Sequence, residues 1–376
     1  MKVALFAGPS GGHLYPALAF AEIFKKRHPE ASLLMVTGER GKFLAEKSGR
    51  DLTLEFEFLP DCPFPRPNQP DFLIRLFPFL SKLVRAFLKS GKILDSFQPD
   101  LSVGFGSYAA FPGLLGSWRR KIPILIHEQN QKMGRANAWL ACFAAKVALS
   151  FEEAGKFSIE GRAVPTGLPL RSSLVEAAMQ KNSLSSPPLA SEDLKILILG
   201  GSQGSSALNR LWMETFEHFS HEEKSRMAVI HITGEKDFEF VKTMYLSQGI
   251  QAQVFAFYEQ MEKLYPQADL GVTRAGASTL FELALFGLPA LVIPYPHADG
   301  HQDLNARYFE KEGAAWVIPE RECTVVRLKE KILKLSSLET RKRLSQNLRR
   351  LARPEASEKL AEVAEELLRA KENCLV

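Results

Sequence analysis

The sequence lacks the features that mark several large classes of protein. Its four cysteines (Cys62, Cys142, Cys323 and Cys374) are scattered, with no CxxC pair and no neighbouring histidine cluster. This spacing argues against a disulfide framework or a structural zinc site and fits a reducing compartment. The longest run without charged residues, 101–118, is interrupted by glycine and proline. It therefore indicates a strand, a loop and a helix rather than a membrane span.

Three further absences narrow the function. The N-terminal MKVALFAG has one lysine before a short β-like run, which is not the pattern of a signal peptide. The net charge is only +5, so composition does not predict nucleic acid as a partner. There is also no Asp-x-Asp pair, through which many transferases hold a diphosphate by way of a divalent cation. The sequence therefore predicts neither a bound metal nor a cofactor.

The chain does contain a repeated alternation of short apolar runs and amphipathic runs. Its 376 residues are about right for two domains. Strands are predicted at 2–7, 33–37, 52–58, 101–103, 122–127, 147–149, 195–199, 227–232, 252–256, 269–273 and 290–293. Helices are predicted near 14–26, 79–95, 108–117, 205–217 and, with a break at Arg353-Pro354, over 337–371. This alternation predicts an α/β fold of two doubly wound domains with parallel sheets.

In the first half, glycine-rich turns follow two predicted strands. Residues 8–13 (GPSGGH) join a strand to a helix, where glycines and unpaired N–H groups suit a ligand. His13, at the helix start, is biased toward the neutral form and is a candidate general base, although a packing role is an alternative. A second turn contains Gly104, Gly106, Ser107 and Tyr108. The polar run 127–130 (HEQN) ends a third strand and is either a site or a solvated loop.

In the second half, the same arrangement recurs with different polar residues. Residues 200–205 (GGSQGS) and 273–279 (TRAGAST) each follow a strand and open a helix, which suits a diphosphate. Glu282 lies about a turn further on. Its carboxylate could accept hydrogen bonds from both hydroxyls of a ribose, or it could simply be an acidic residue that the helix dipole favours near the start of the helix. Polar residues over 294–305 could contact sugar hydroxyls. A metal site at His297, Asp299 and His301 is an inferior alternative because the spacing fits no standard zinc pattern.

These motifs, taken in order, closely resemble the MurG family of peptidoglycan glycosyltransferases. The resembling stretches keep the family's order and span most of the chain. They are GPSGGHLYPALA (8–19), GFGSYAAFPG (104–113), IPILIHEQN (122–130), ILGGSQGSSALN (198–209), TRAGASTLFELALFGLPALVIPYPHADGHQDLNA (273–306) and EKEGAAWVI (310–318).

The resemblance implies a GT-B fold, two Rossmann-like domains facing a cleft. It also implies an inverting transfer of N-acetylglucosamine from UDP-N-acetylglucosamine to undecaprenyl-pyrophosphoryl-N-acetylmuramyl-pentapeptide, which turns lipid I into lipid II. The expected domains are 1–170 for the acceptor, 171–352 for the donor and a final helix, 353–376, that returns to the first domain. Implied partners are UDP-N-acetylglucosamine, lipid I, an anionic membrane surface at the cytoplasmic face of the inner membrane, and other proteins of cell-wall synthesis.

Carried over by position, the resemblance implies a set of site residues. His13, with Glu128 as the weaker alternative, would be the catalytic base. The acceptor side would include Gly104, Gly106, Ser107 and Tyr108. UDP-sugar contacts would be Ser10, Gly11, Gly12, Asn130, Arg171, Ser202, Tyr258, Ala277, Ser278, Thr279, Leu280, Phe281, Glu282 and Gln302.

Three residues depart from the family's pattern. Pro9 replaces a usual glycine and removes one N–H from the first loop, which puts that loop's share in binding pyrophosphate in question. Tyr258 stands where the family often has an aliphatic residue, so only its backbone role transfers. Phe281 replaces a usual small polar residue beside Glu282.

A lipid-linked acceptor also requires a surface that contacts the membrane. The segment 72–80 is unusually apolar, and basic residues follow it at steps of three and four. The predicted contact residues are Phe72, Ile74, Leu76, Phe77, Phe79, Lys82, Arg85, Trp118 and Arg119. For 80–87 alone, the expectation is an ordinary surface helix whose apolar side (Leu80, Leu83, Val84 and Phe87) belongs to the core.

Other functions remain compatible with the pattern. A GT-B fold could also belong to a diacylglycerol glycosyltransferase or to a UDP-N-acetylglucosamine 2-epimerase, which needs no lipid. A membrane-docked nucleotide-sugar sensor without turnover is a non-enzymatic alternative.

Overall fold

The computed structural model describes residues 1–49, 52–62, 72–152, 161–183, 194–201, 203–250, 252–296 and 300–373. The chain divides into two compact units. The N-terminal unit comprises Met1–Ser172 together with Glu355–Val376, and the C-terminal unit comprises Ser173–Pro354. The last helix of the chain is thus part of the N-terminal unit.

The N-terminal unit alternates strands and helices along most of its length. Its strands are β1 (Lys2–Phe6), β2 (Ser32–Gly38), β3 (Leu54–Leu59), β4 (Leu101–Gly104), β5 (Ile124–Glu128), β6 (Lys146–Leu149) and β7 (Ala163–Pro165). Its helices before residue 172 are α1 (Gly11–Arg27), α2 (Lys42–Ser48), α3 (Phe72–Phe97), α4 (Phe111–Arg119) and α5 (Arg135–Leu140).

The C-terminal unit repeats this alternation with more helices. Its strands are β8 (Leu194–Leu199), β9 (Met227–Ile232), β10 (Ala252–Phe255), β11 (Leu270–Thr273), β12 (Ala290–Val292) and β13 (Trp316–Val317). The helices are α6 (Ser172–Ser183), α7 (Ser206–Glu217), α8 (His221–Ser225), α9 (Phe238–Ser247), α10 (Met261–Leu264), α11 (Ala277–Phe286), α12 (His301–Lys311), α13 (Val325–Leu335) and α14 (Leu338–Leu351). The chain then ends with α15 (Ala356–Asn373).

Both sheets are parallel, and each reverses its strand order once. The N-terminal sheet has the order β3-β2-β1-β4-β5-β6-β7, and the C-terminal sheet has the order β10-β9-β8-β11-β12-β13. In both, the first strand of the unit lies at the point of reversal, beside β4 in one sheet and β11 in the other. Ligands in open α/β sheets bind at such switch points, beyond the carboxyl ends of the strands.

The cores explain why the strands are almost continuously apolar. Val3 and Leu5 of β1 face the core shared with α1 and α15, while Ala4 and Phe6 face the core beneath α3 and α4. Because helices cover both faces, alternate side chains of one strand enter different cores. α15 is held on α1 by the ion pair of Arg27 with Glu365, whose Nε and Oε1 atoms are 2.8 Å apart.

Several predicted element boundaries were wrong. α1 begins at Gly11, not near residue 14, because two glycines with poor helix propensity form its first turn. α3 begins at Phe72, not near residue 79, and contains Pro78. The amphipathic pattern continues on both sides of that proline, whose missing N–H costs one helical hydrogen bond. The short strands β7 and β13 were not predicted, since two or three residues carry no periodicity.

Candidate functional site

The glycine loops lie where the strand order of each sheet reverses. In the N-terminal unit, the loop after β1 (residues 7–10) meets the loop after β4 (residues 105–110). A Cβ atom on Gly8 would lie 2.5 Å from Ser107 Cβ and 2.7 Å from His13 Cδ2. Gly8 therefore allows the close approach of these two loops, and His13 lies at their contact. The structure thus brings together residues that the sequence placed in two separate turns.

The start of α1 is not neutralised by its own side chains. Its N-cap residue, Ser10, makes no side-chain cap, and the first turn carries no acidic residue. A Cβ atom on Gly12 would meet nothing within 4 Å, so there is open space above this turn. A helix start of this kind favours an anion. Pro9 packs against Gly41, whose Cβ would lie 2.9 Å from the Pro9 Cα.

A buried hydrogen-bond network lies behind His13. His127 is fully buried, and burial lowers its pKa to about 4, so it is neutral at physiological pH. Its Nε2 lies 3.1 Å from the carbonyl oxygen of Gly167, which can only accept, so Nε2 carries the proton. His127 Nδ1 must then accept, and the Gln129 amide nitrogen lies 3.2 Å from it.

The orientation of the Gln129 amide also determines which ring nitrogen of His13 carries the proton. Its Nε2 also donates to the carbonyl oxygen of Phe105 at 3.1 Å, which fixes the orientation of the amide. Gln129 Oε1 therefore faces His13 Nδ1, at 3.3 Å. An amide oxygen can only accept, so His13 Nδ1 is the donor. In its neutral form, the unprotonated ring nitrogen of His13 is consequently Nε2, which is the nitrogen that can accept a proton.

Glu128, the alternative base, is occupied within the protein. Its Oε1 accepts from the backbone N–H of Asn130 at 2.9 Å and from the Asn130 amide at 3.2 Å. Its Oε2 accepts from Gly134 N at 3.0 Å and from Asn137 Nδ2 at 2.8 Å. The side chain is also 1% exposed. This geometry favours a structural role, in which Glu128 holds the loop after β5 that carries Asn130.

The predicted acceptor residues have different environments. Gly104 is buried within β4, and a Cβ there would lie 2.3 Å from Leu114 Cδ1, so this glycine serves packing. Gly106 has a positive φ of 81°, and its Cβ would lie 3.3 Å from the His13 ring. Ser107 also has a positive φ, 73°, beside Gly8. Gly106 and Ser107 therefore line the space around His13, while Tyr108 is half-buried in the next turn.

In the C-terminal unit, the loop after β8 is shaped by backbone contacts. A Cβ atom on Gly204, where φ is 73°, would lie 2.2 Å from the carbonyl oxygen of Thr233. Ser205 caps α7 by accepting from Leu208 N at 3.4 Å. Ser202, a predicted donor contact in this loop, lies outside the described residues, as do His297 and Asp299.

Arg274 was not singled out as a site residue by the sequence, yet it ties two loops together. It follows β11 directly and is 4% exposed. Its Nη2 and Nε donate to Ser205 Oγ at 2.9 and 3.0 Å, and its Nη1 donates to the carbonyl oxygen of Ile293 at 3.1 Å. It also pairs with Glu320. An arginine directly after a buried strand was the available signal for this role.

The start of α11 offers donors to an anion. Gly276 is its N-cap, without a side-chain cap and with no acid in the first turn. Ser278 Oγ is buried and has no partner among the described residues. Gln302 Oε1 accepts from Ala275 N at 3.1 Å and from Tyr295 N at 2.9 Å, which fixes the loops on either side of this helix start.

Residues 277–282, which were predicted to contact the UDP-sugar, form one group of buried side chains and one group of half-buried side chains. Leu280 and Phe281 belong to the core, and the Phe281 ring packs edge-on against Phe309 at 5.7 Å. The unusual residue at position 281 therefore faces inward. Ala277 is also buried, while Ser278, Thr279 and Glu282 are half-buried. Glu282 Oε2 accepts from Tyr265 Oη at 2.6 Å.

The remaining predicted donor contacts are not gathered in one unit. Tyr258 lies in the C-terminal unit with its ring 4.6 Å from that of Phe255. Arg171 lies in the N-terminal unit, with its guanidinium 4.9 Å from the centre of the Tyr15 ring. Ser10, Gly11, Gly12 and Asn130 also belong to the N-terminal unit.

The exposed surface of α3 is more apolar than the sequence predicted. Ile74 and Phe77 are each 78% exposed, with Lys82 and Arg85 exposed nearby, while Leu76 and Phe79 are half-buried. The expectation that Leu80 and Val84 belong to the core was wrong, since they are 47% and 57% exposed. These side chains extend the exposed apolar stripe of α3, which consists of Ile74, Phe77, Leu80 and Val84. The side chain of Phe72 lies outside the described part of the chain.

A second aromatic group lies in the same unit. Trp118 is 46% exposed, and its ring lies 4.5 Å from that of Phe143. The Arg119 guanidinium lies over the Phe87 ring at 5.8 Å, which joins α4 to α3. Among the described residues, no helix has the length and apolar character needed to span a membrane.

Comparison with known proteins defines the class. The Glycosyltransferase family 28 N-terminal domain matches residues 3–149, and the Glycosyltransferase family 28 C-terminal domain matches residues 195–367. A solved structure described as Acinetobacter baumannii MurG has a TM-score of 0.74 at 27% identity, covering 97% of this chain and 99% of that one. With two parallel-sheet Rossmann-like units, the protein is a GT-B glycosyltransferase.

Curated relatives specify the family. Proteins described as "UDP-N-acetylglucosamine--N-acetylmuramyl-(pentapeptide) pyrophosphoryl-undecaprenol N-acetylglucosamine transferase" are similar over nearly their full length. The Carboxydothermus hydrogenoformans protein is 35% identical, covering 99% of both chains. The Desulfotalea psychrophila protein is 36% identical, covering 99% of this chain and 98% of its own. The chain therefore belongs to this family of transferases, within glycosyltransferase family 28.

The fold itself is shared more widely. A UDP-GlcNAc 2-epimerase from Neisseria meningitidis, solved with UDP-GlcNAc bound, has a TM-score of 0.68 at 13% identity and covers 97% of this chain and 100% of its own. At that identity the likeness is one of fold alone.

Proposed function

We propose that this protein transfers N-acetylglucosamine, with inversion, from UDP-N-acetylglucosamine to undecaprenyl-pyrophosphoryl-N-acetylmuramyl-pentapeptide, converting lipid I into lipid II in peptidoglycan synthesis. The shared description of the curated relatives names this transfer. The observation that carries the proposal is the contrast between the two switch points. One presents a histidine with an assigned tautomer, and the other presents an uncapped helix start followed by a carboxylate.

The C-terminal unit binds the donor in this proposal. The N–H groups at the start of α11 and the Ser278 hydroxyl bind the diphosphate, and the Glu282 carboxylate accepts the ribose hydroxyls. The backbone at Tyr258 contacts the uracil, and Gln302 holds the loops around the diphosphate. Ser10, Gly11, Gly12, Asn130 and Arg171 contribute from the N-terminal unit, which also binds the acceptor.

Proton transfer falls to His13. The acceptor's sugar hydroxyl attacks the anomeric carbon, and His13 Nε2 takes its proton. The bond between that carbon and the diphosphate oxygen breaks, and UDP leaves with the electron pair. Helix starts at α1 and α11 stabilise the charge that develops on the diphosphate. This assignment needs no divalent cation, so turnover should persist in a chelator.

The lipid-linked acceptor is reached through the N-terminal unit. The exposed stripe on α3 and the Trp118–Phe143 pair insert into the interface of an anionic leaflet, and Lys82, Arg85 and Arg119 contact its headgroups. In this proposal the protein acts peripherally at the cytoplasmic face of the cell membrane, and its further partners are other proteins of cell-wall synthesis.

The direct test is transfer of radiolabelled N-acetylglucosamine from UDP-N-acetylglucosamine to a lipid I analogue in the presence of EDTA. We expect label in the lipid fraction, with release of one UDP per sugar transferred. A parallel sample without the acceptor is analysed for epimerisation of the free nucleotide-sugar. Epimerised donor, or label that never reaches the lipid, would contradict the proposal.

A further inference from the structure

Tyr265 lies in the core of the C-terminal unit, directly after α10. It is fully buried, and its ring stacks on Phe286 with 5.2 Å between ring centres. Its Oη lies 2.6 Å from Glu282 Oε2. An ionised carboxylate has acceptors only, so the phenol is the donor. At this distance the hydrogen bond is of the short, charge-assisted kind, which is about twice as strong as a neutral one.

This hydrogen bond joins the tightly packed ring of Tyr265 to the side chain of Glu282, which has many rotamers of its own. A glutamate has three rotatable side-chain torsions, and fixing them for a ligand costs conformational entropy. The Tyr265 ring cannot move without losing its stack on Phe286, which lies at the end of the helix that carries Glu282. The phenol therefore fixes one carboxylate oxygen before any ligand arrives.

A fixed oxygen sets the plane of the whole carboxylate. The two oxygens of an ionised carboxylate offer about four acceptor positions, so a bond to one oxygen leaves capacity for further donors. Two adjacent hydroxyls on a ribose present two donors with a defined separation. A carboxylate held in one orientation matches them better than one that samples several rotamers.

We propose that Tyr265 is a positioning residue for the ribose of the donor, acting through Glu282. The inference rests on the proposed function, which makes Glu282 the ribose acceptor. Tyr265 does not touch the nucleotide itself. Tyr265 therefore contributes to binding affinity only when the ligand has ribose hydroxyls that can donate hydrogen bonds to Glu282.

The test compares two nucleotides on the full-length Tyr265→Phe protein. This substitution removes one oxygen atom and keeps the ring that stacks on Phe286. By calorimetry, we expect UDP to bind about three- to tenfold more weakly, the cost of ordering one flexible side chain when the ligand binds. Binding of 2′,3′-dideoxy-UDP should stay within about twofold of wild type. In transfer assays the donor KM should rise while kcat stays within about twofold.

Tyr245→Phe is the matched control. Tyr245 is another buried tyrosine of the same unit, 1% exposed, and its Oη accepts from Trp212 Nε1 at 2.6 Å. Its loss should lower stability without changing the preference for UDP over the dideoxy nucleotide. Equal weakening of both nucleotides by Tyr265→Phe, or no weakening of either, would overturn the inference.

Glu282→Ala separates this inference from the function on which it rests. If Glu282→Ala abolishes the preference for UDP but Tyr265→Phe keeps it, only the role of Tyr265 is wrong. If Glu282→Ala itself leaves the preference intact, the assignment of Glu282 to the ribose is wrong as well. The double variant should bind UDP no more weakly than Glu282→Ala alone.

Discussion

The two units share a topology but surround their switch points with different chemistry. In the N-terminal unit, the side chains of His13, Gln129 and His127, which come from two segments of the chain, form a chain of hydrogen bonds. In the C-terminal unit, a buried cation, Arg274, and the uncapped start of α11 dominate. One fold can therefore place a chain of histidine and amide side chains at one switch point and a buried arginine at the other, through the side chains that follow its strands.

Acid should produce the largest effect, because each unit buries a neutral histidine. Burial lowers the pKa of His127 to about 4 and that of His231 to about 3, from 6.5 in the unfolded chain. The unfolded chain therefore takes up protons first, so this stability is complete above pH 6.5 and is lost as the pH falls. By pH 4, each unit should lose ~3 kcal/mol from its histidine.

Urea unfolding between pH 7 and pH 4, followed by hydrogen exchange and mass spectrometry, measures each unit separately. His231→Phe should be less stable at pH 7, yet its C-terminal unit should lose less stability on acidification, while the N-terminal unit behaves as in wild type. An unchanged acid response of both units would show that these histidines are not the cause.

The next largest effect is a difference in stability between two glycine substitutions, one beside the switch point of each unit. Gly204→Ala should destabilise the C-terminal unit by about 3 kcal/mol or more, since it combines a positive φ with a clash against the Thr233 carbonyl. Gly12→Ala, within α1 and facing open space, should leave stability unchanged or raise it by roughly 0.5 kcal/mol. Calorimetric melting of both proteins measures the difference. Equal melting temperatures would mean that the C-terminal loop is not held by its backbone contacts.

Gln129→Leu isolates the hydrogen-bond chain behind His13. The substitution removes the Gln129 oxygen that accepts from His13 Nδ1 and keeps the proton on that nitrogen. We therefore expect kcat to fall about tenfold while UDP affinity is unchanged. Nitrogen-15 NMR of the His13 ring should show a mixture of tautomers where wild type shows the proton on Nδ1. Gln302→Leu, in the other unit, should instead raise the donor KM. A normal tautomer in the Gln129 variant would contradict the assignment.

Much of this arrangement was predictable from local sequence, and some was not. The turns after β1 and β8 were predicted correctly, because glycines directly after a buried strand indicate a turn into a helix. The contact of His13 with Gln129 spans 116 positions and depends on the order β1-β4-β5, which no local pattern encodes. The exposure of Leu80 and Val84 was missed because an apolar stripe looks the same whether protein or another surface covers it.

The smallest expected effect concerns the exposed surface that distinguishes the N-terminal unit. Ile74→Ser and Phe77→Ser should each weaken binding to vesicles containing phosphatidylglycerol by roughly fivefold, about 1 kcal/mol, and leave stability unchanged. The matched controls are Phe240→Ser and Leu246→Ser in the C-terminal unit, where these side chains are 48% and 68% exposed. Cosedimentation should detect no loss for the controls. Equal losses in both units would argue against a specific membrane surface.

The division of labour between the two units is tested most directly by measuring kcat and UDP affinity for His13→Ala and Glu282→Ala side by side. Loss of a general base should reduce kcat by about 10²- to 10⁴-fold in His13→Ala and leave UDP affinity within about twofold. Glu282→Ala should weaken UDP by roughly tenfold or more while kcat at saturating donor changes far less. Near-normal turnover in His13→Ala, or an equal loss of UDP affinity in both variants, would contradict the account.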